Sequence, residues 1–395
     1  MAKLAINGGT PIGCGPFPSW PVSGEADIGA VRDVFENKYG DGYFCDKFAA
    51  RFADYCDTPY CLPVANGTVS LELILRALGI GKGDEVILPP YTFIATLSSI
   101  IYAGATPVFA DIERGTYNIS AESAAKKITA KTKAVIAVAV AGRPADIDAL
   151  EDLCKNNGLF LINDAAQAVG ARWREKSIGS YGIATSFSCQ NSKNLTGGEG
   201  GIITTCDKKL YDALRDILDI NAKKARITRD FKINEYSAAM LDSQLDKLDG
   251  EIAIRSKNAA WLKKQLLENE YAFATDCDER IAVDAYHLFI IRFDETKLKA
   301  ASVSRDKIIA AANAEGLPIG AGYAPLYNAP GIKTEIVRKI AGDIDLSPLP
   351  ECERASYSEG SWLYQSCLLG NEAATESIYK IIEKITANIT ELSLS

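Results

Sequence analysis

The sequence predicts an α/β protein in two units, a large one over residues 1–250 and a smaller one over 251–395. Apolar strands and helices alternate up to residue 205. Several of those strands are apolar on both faces. After Tyr236 the pattern gives way to one long amphipathic helix. Strands without a polar face belong to a sheet covered on each side by helices.

The elements come in order. Residues 25–56 read as two helices: Ala30, Val31, Val34 and Phe35 fall at helical spacing, KYGDGYF breaks the pattern, and Phe48, Phe52 and Tyr55 resume it. Val69 to Leu78 is an apolar helix stopped by Gly79. The run EVIL at 85–88 is a strand stopped by Pro89-Pro90. Ala95 to Tyr102 is a helix and PVFADI at 107–112 a strand. AVIAVAV at 134–140 is a buried strand, 146–156 a helix and 159–162 another buried strand. Two short strands come next, at 185–189 and 201–205. Leu241, Leu245, Leu248 and Ile252 then mark a helix reaching Leu267, which links the two units. In the second unit, 287–293 reads as a strand, and 305–314 and 372–392 as helices.

Composition removes several classes of function. The 395 residues carry 43 basic and 51 acidic side chains, a net charge of −8, which argues against a basic face for nucleic acid. No apolar run approaches the ~20 residues of a membrane span. The opening residues MAKLAINGGTPIGCG carry no long apolar segment, so no secretory leader is expected. Ten scattered cysteines with no C-x-x-C pair, beside the single histidine His287, argue against a metal site and for a reducing, cytoplasmic compartment. One histidine also leaves little room for a histidine-dependent hydrolase. Acid–base work therefore falls to lysine, tyrosine or carboxylate.

Three features could carry chemistry. Asn66-Gly67-Thr68 precedes a helix, where free backbone N–H groups can hold a phosphate or where Asn66 simply caps. Asp164 ends a buried strand, where α/β folds put ligands, or caps the helical turn AAQAVGA. Lys193 sits in SFSCQNSKNLTGGEGG, whose glycines allow a ligand close; confined, its amine could condense with an aldehyde, and solvated it is an ordinary loop lysine. Phosphate turn, strand-end aspartate and loop lysine, in that order, are what pyridoxal phosphate requires. The aspartate keeps the pyridine nitrogen protonated and the lysine takes the aldehyde.

With FPSWP, ANGTVSLELILRALGIGKGDEVILPPYTFIAT, NDAAQAVGA, SFSCQNSKNLTGGEGG and INEYSAAMLDSQLDKLD in order, the chain resembles the DegT-type sugar aminotransferases over nearly its whole length. That resemblance implies the aspartate-aminotransferase fold (fold type I), with a mixed, mostly parallel sheet between helices and a smaller C-terminal α/β domain. It implies pyridoxal 5'-phosphate bound to Lys193, with Asp164 on the pyridine nitrogen and Gln167 near the ring hydroxyl. Phe93 would stack on the ring, and Gly67, Thr68 and Ser188 would meet the phosphate. It assigns Asn234 to the phosphate of the other subunit, hence a homodimer with shared sites. Gln190-Asn191, where many relatives have histidine, is similar to the branch with 3-amino-5-hydroxybenzoate synthases and keto-inositol aminotransferases.

The expected reaction moves an amino group from glutamine or glutamate to a keto-sugar or keto-cyclitol. A 3-amino-5-hydroxybenzoate synthase-like enzyme, a nucleotide-keto-sugar aminotransferase and a non-enzymatic regulatory protein are the alternatives. Lys193 argues against the dehydratase branch, which has histidine there. Tyr43, Tyr323, Tyr327, Arg143 and Trp362 are candidates for the substrate pocket.

Overall fold

In the computed structural model the described residues are 3–37, 42–218 and 230–393. The predicted break over 38–41 lies outside them, while the helices on either side, α1 (Glu25–Asn37) and α2 (Tyr43–Tyr55), are both present. The large unit continues with β1 (Tyr60–Val64), α3 (Gly67–Ala77), β2 (Glu85–Leu88), α4 (Ile94–Ala103) and β3 (Thr106–Phe109). Next come α5 (Ala121–Lys126), β4 (Thr132–Val138), α6 (Ile147–Asn157) and β5 (Phe160–Asp164). The hairpin β6 (Arg172–Trp173) and β7 (Lys176–Ser177), then β8 (Ala184–Ser188), β9 (Gly201–Thr205) and α7 (Lys208–Leu218) complete it.

These strands form a seven-stranded sheet in the order β1-β9-β8-β5-β4-β2-β3. β8, β5, β4, β2 and β3 are mutually parallel, and β9 runs against both of its neighbours. Val135, Ile136 and Ile162 are fully buried at the centre, as expected of a sheet with both faces covered. Parallel strands share one carboxyl edge. The ends of β5 at Asp164 and β8 at Ser188 therefore lie side by side there, and β1 leads directly into the N-terminus of α3.

The helix α8 (Glu235–Leu266) runs straight through residue 250. Its first half packs on α1 and α2 and buries Leu241, Leu245 and Leu248; its second half buries Ala259, Leu262 and Leu266 in the smaller core. That core is a four-stranded antiparallel sheet, β10 (Ala272–Ala274), β12 (Leu288–Phe293), β14 (Gly360–Tyr364) and β13 (Ile319–Gly320), in spatial order. It is backed by α9 (Glu295–Ala300), α10 (Arg305–Ala314) and α13 (Glu372–Ala387), while α11 (Glu335–Ala341) and α12 (Pro350–Arg354) lie on its connections. β11 (Ile281–Val283) pairs instead with β6 of the large unit. The N-terminal segment also crosses over: Leu4 is buried in the small core, and the Ala5 N–H donates to Glu315 at 2.9 Å. Tyr117 and Arg114 of the large unit meet the buried carboxylate of Glu359 at 3.1 and 3.3 Å; Glu359 also pairs with Arg292 at 3.2 Å.

Candidate active site

The carboxyl edge of the sheet gathers the chemistry. Asp164 ends β5 almost fully buried. Its Oδ2 accepts from the Thr96 hydroxyl at 2.8 Å and its Oδ1 from the Ala166 N–H at 3.2 Å. No ion pair among the described residues involves it. Burial pushes its carboxyl above the usual range, while Thr96, the Ala166 N–H and the charge of Lys193 pull it back. A carboxylate so placed is costly until a cation reaches it. Thr96 was not legible as a site residue; the only signal was its place one turn into the helix after YTF.

Lys193 lies on the loop between β8 and β9, its backbone N–H donating to the Gln190 carbonyl at 2.8 Å. Burial lowers its ammonium from the ordinary 10.5 to about 8, against the pull of Asp164 and Cys189. Its Nζ has no hydrogen-bond partner among the described residues. The Trp20 indole N–H donates to the Asn191 carbonyl at 3.0 Å, so FPSWP reaches the lysine loop.

The N-terminus of α3 faces the end of β8. Asn66 caps it, its Oδ1 accepting from the Val69 N–H at 2.9 Å. The N–H groups of Gly67 and Thr68 are left without an acceptor among the described residues, as the first turn of a helix requires. A Cβ on Gly67 would stand 2.8 Å from the Ser188 Cβ, so glycine alone permits this approach. Among the described residues the Ser188 hydroxyl has one hydrogen bond, a 3.4 Å bond from the Gln190 N–H.

Gln167 is buried and fixed at both ends. Its Oε1 accepts from the Ala141 N–H at 2.7 Å, and its Nε2 donates to the Tyr323 hydroxyl at 3.0 Å. Tyr323 packs edge-on against Trp362, with centroids 4.6 Å apart, and burial holds its phenol in the protonated form. Phe93 immediately precedes α4 with its ring 56% exposed.

Other candidates are engaged elsewhere. The Tyr327 ring is fully buried, and its hydroxyl donates to Glu353 at 2.7 Å and accepts from the Leu349 N–H at 3.2 Å. Arg143 is buried with Nη1 on the Thr275 hydroxyl at 3.2 Å, turned toward Asp284 and Lys263. Tyr43 opens α2 at the surface. Asn234 is exposed and caps α8, its Oδ1 accepting from the Ser237 N–H at 2.9 Å. Among the described residues no cluster of histidine, cysteine or acidic side chains could hold a metal, and no helix is long and apolar enough to cross a membrane.

The model of the DegT/DnrJ/EryC1/StrS aminotransferase family matches residues 21–344. The chain belongs to that family. This aminotransferase is 31% identical to the L-glutamine:scyllo-inosose aminotransferase of Streptomyces griseus, covering 99% of each chain. It is 30% identical to the L-glutamine:2-deoxy-scyllo-inosose aminotransferase of Micromonospora echinospora, covering 99% of this chain and all of that one. The crystal structure of 3-amino-5-hydroxybenzoic acid synthase superposes with a TM-score of 0.82 at 28% identity, over 95% of this aminotransferase and 99% of that chain. The fold is therefore fold type I, as the sequence resemblance implied.

Proposed function

We propose that this aminotransferase uses pyridoxal 5'-phosphate to carry nitrogen from glutamine to the ketone of a keto-cyclitol. The observation that carries the reading is the convergence of a buried carboxylate with no ion-pair partner among the described residues, Asp164, with a lysine whose ammonium is lowered to about 8, Lys193. The residues fit the cofactor. The gap kept by Gly67 beside Ser188, with two free N–H groups, suits a phosphate, and Asp164 suits a protonated ring nitrogen. Glutamine and the cyclitol are supported by the two L-glutamine:inosose relatives.

Bound pyridoxal phosphate would supply an aldehyde that exchanges nitrogen and a ring that stores an electron pair. The chain supplies the rest. Gly67, Thr68 and Ser188 bind the phosphate. Asp164 holds the proton on the ring nitrogen. Gln167, steadied by Tyr323, stands by the ring hydroxyl, and Phe93 covers one face. Lys193 Nζ would anchor the cofactor and, once the donor's amine displaces it, would carry the proton from the donor's α-carbon to the cofactor.

Residues 1–250 would bind the cofactor and 251–395 would close over it. The working unit we propose is a homodimer, with Asn234 reaching the partner's phosphate. The exposed, mutually packed rings of Phe35 and Tyr236, 4.9 Å apart, support an apolar interface near it. Ten free thiols support a reducing, cytoplasmic setting.

The test is a pair of half-reactions followed by absorbance. Glutamine should convert the cofactor to its amine form, and a keto-inositol should return it. Return by nucleotide-linked keto-sugars alone would overturn the substrate assignment. For the shared site, Asn234→Asp keeps the helix cap but puts a negative charge at the phosphate. Activity should fall with melting unchanged, and mixing with inactive Lys193→Ala should restore part of it.

A further inference from the structure

Lys193 is followed by Asn194, whose side chain is buried and spent entirely on one short segment of the small unit. Its Nδ2 donates to the Ala285 carbonyl at 2.7 Å, and its Oδ1 faces His287 Nδ1 at 3.2 Å. A carbonyl only accepts, so the amide nitrogen must lie toward Ala285 and the amide oxygen toward the histidine. That oxygen also only accepts, so Nδ1 carries a hydrogen. His287, the one histidine of the chain, therefore presents an Nδ1–H to this amide. Burial together with the charges of Lys193 and Arg255 keeps its pKa well below the ordinary 6.5.

The backbone is bent to make this contact. Tyr286, between the two partners, sits at φ +47°, a left-handed conformation that a tyrosine rarely takes. The bend lets the carbonyl of residue 285 and the ring of residue 287 reach one amide. The same segment grips a second element of the site. The Ala285 N–H donates to the Gly142 carbonyl at 3.0 Å, and a Cβ on Gly142 would stand 2.7 Å from the Tyr286 nitrogen. Gly142 follows Ala141, whose N–H holds Gln167.

We infer that His287 and Asn194 are positioning residues that set Lys193 against Asp164, with segment 285–287 as a common brace for the lysine loop and the Gln167 turn. The inference rests on Lys193 being the reacting amine. Neither residue touches the substrate; both act through Lys193.

The test uses His287→Phe, which removes the Nδ1–H and keeps the ring, and Asn194→Leu. His287→Gln returns an N–H donor. Each of the first two should slow the glutamine half-reaction by about 10- to 100-fold, the penalty of misplacing a reacting group by about an ångström. KM should stay within about twofold. The double variant should be no slower than Asn194→Leu alone, because the two side chains form one link. In cofactor-free protein, the pH midpoint for chemical modification of Lys193, read by mass spectrometry, should move up from about 8 as the amine leaves its buried place. His287→Gln should recover most of the rate and the midpoint.

Unchanged rate and midpoint in His287→Phe would overturn the inference. So would a lowered melting temperature with an unmoved midpoint, since that marks packing alone. Lys193→Ala run beside them separates the two ideas. If it abolishes the half-reaction while the His287 variants behave as wild type, only the brace fails. If it reacts normally, the assignment of Lys193 fails and the brace with it.

Discussion

Lys193 and Asp164 share one problem, burial of a charge, and in each burial shifts the balance toward the neutral form. Burial penalises the ammonium, so the lysine's midpoint falls to about 8 and neutral amine exists at lower pH than on an ordinary lysine. At pH 7 roughly one-tenth of such an amine is neutral, against roughly one part in three thousand at an ordinary 10.5. Capture of pyridoxal phosphate by cofactor-free protein should therefore speed up about tenfold per pH unit up to about 8 and then level off. A stopped-flow series that kept climbing to pH 10 would contradict the buried setting of Lys193. Tyr327 illustrates the opposite case, a tyrosine in the right stretch of sequence with its hydroxyl already committed. Tyr327→Phe should cost about 1–2 kcal/mol in urea unfolding, from two lost hydrogen bonds, and leave KM for the keto substrate unchanged.

Among the elements, the turn proposed to hold the phosphate depends on how closely α3 approaches β8. Gly67→Ala would drive a methyl group to 2.8 Å from the Ser188 Cβ, which cannot swing aside like the end of a long side chain. The helix must lift off the strand, and cofactor affinity, read by equilibrium dialysis, should fall at least tenfold while the helical content stays. Elements with a strong period were legible in the sequence. α8 runs 235–266 where apolar spacing gives 236–267, and β9 runs 201–205 as read. The helix at 69–78 starts two residues earlier because Asn66 supplies the cap, and β5 extends to Asp164, two residues past its apolar run. The C-terminal helix ends at Ala387 rather than 392, a short separate turn carrying the last apolar residues. β1 escaped notice because Pro63 speaks against a strand; it is tolerated at the sheet edge. β6, β7, β11 and β13 have two or three residues each, too few to show a period. At the site, motif order brought Asp164 and Lys193 to notice, and the family resemblance added Gln167. Thr96, Asn194 and His287 act through contacts between distant segments, which no local pattern encodes.

Across the whole molecule, the two units are joined by buried charge as well as by α8. Glu359 takes Arg292 from its own unit and Tyr117 and Arg114 from the other, with both Glu359 and Arg292 out of reach of water. Glu359→Ala leaves Arg292, among the described residues, with only the exposed Asp276 at 3.7 Å, and loss of one member of a buried pair costs about 3–5 kcal/mol. Calorimetry should show a lower melting temperature, and the folding transition should split as the small unit loosens first. The N-terminal crossing carries a different consequence, in the order of events during synthesis. The Leu4 N–H docks on a carboxylate 387 residues further along the chain, and the Ala5 N–H on one 310 residues along. On the ribosome, the early segment must stay undocked through nearly the whole of translation. Trp20, carried by the same segment, meets the lysine loop at Asn191, 171 residues along, so one stretch of early chain ties that loop to the last turn of the protein.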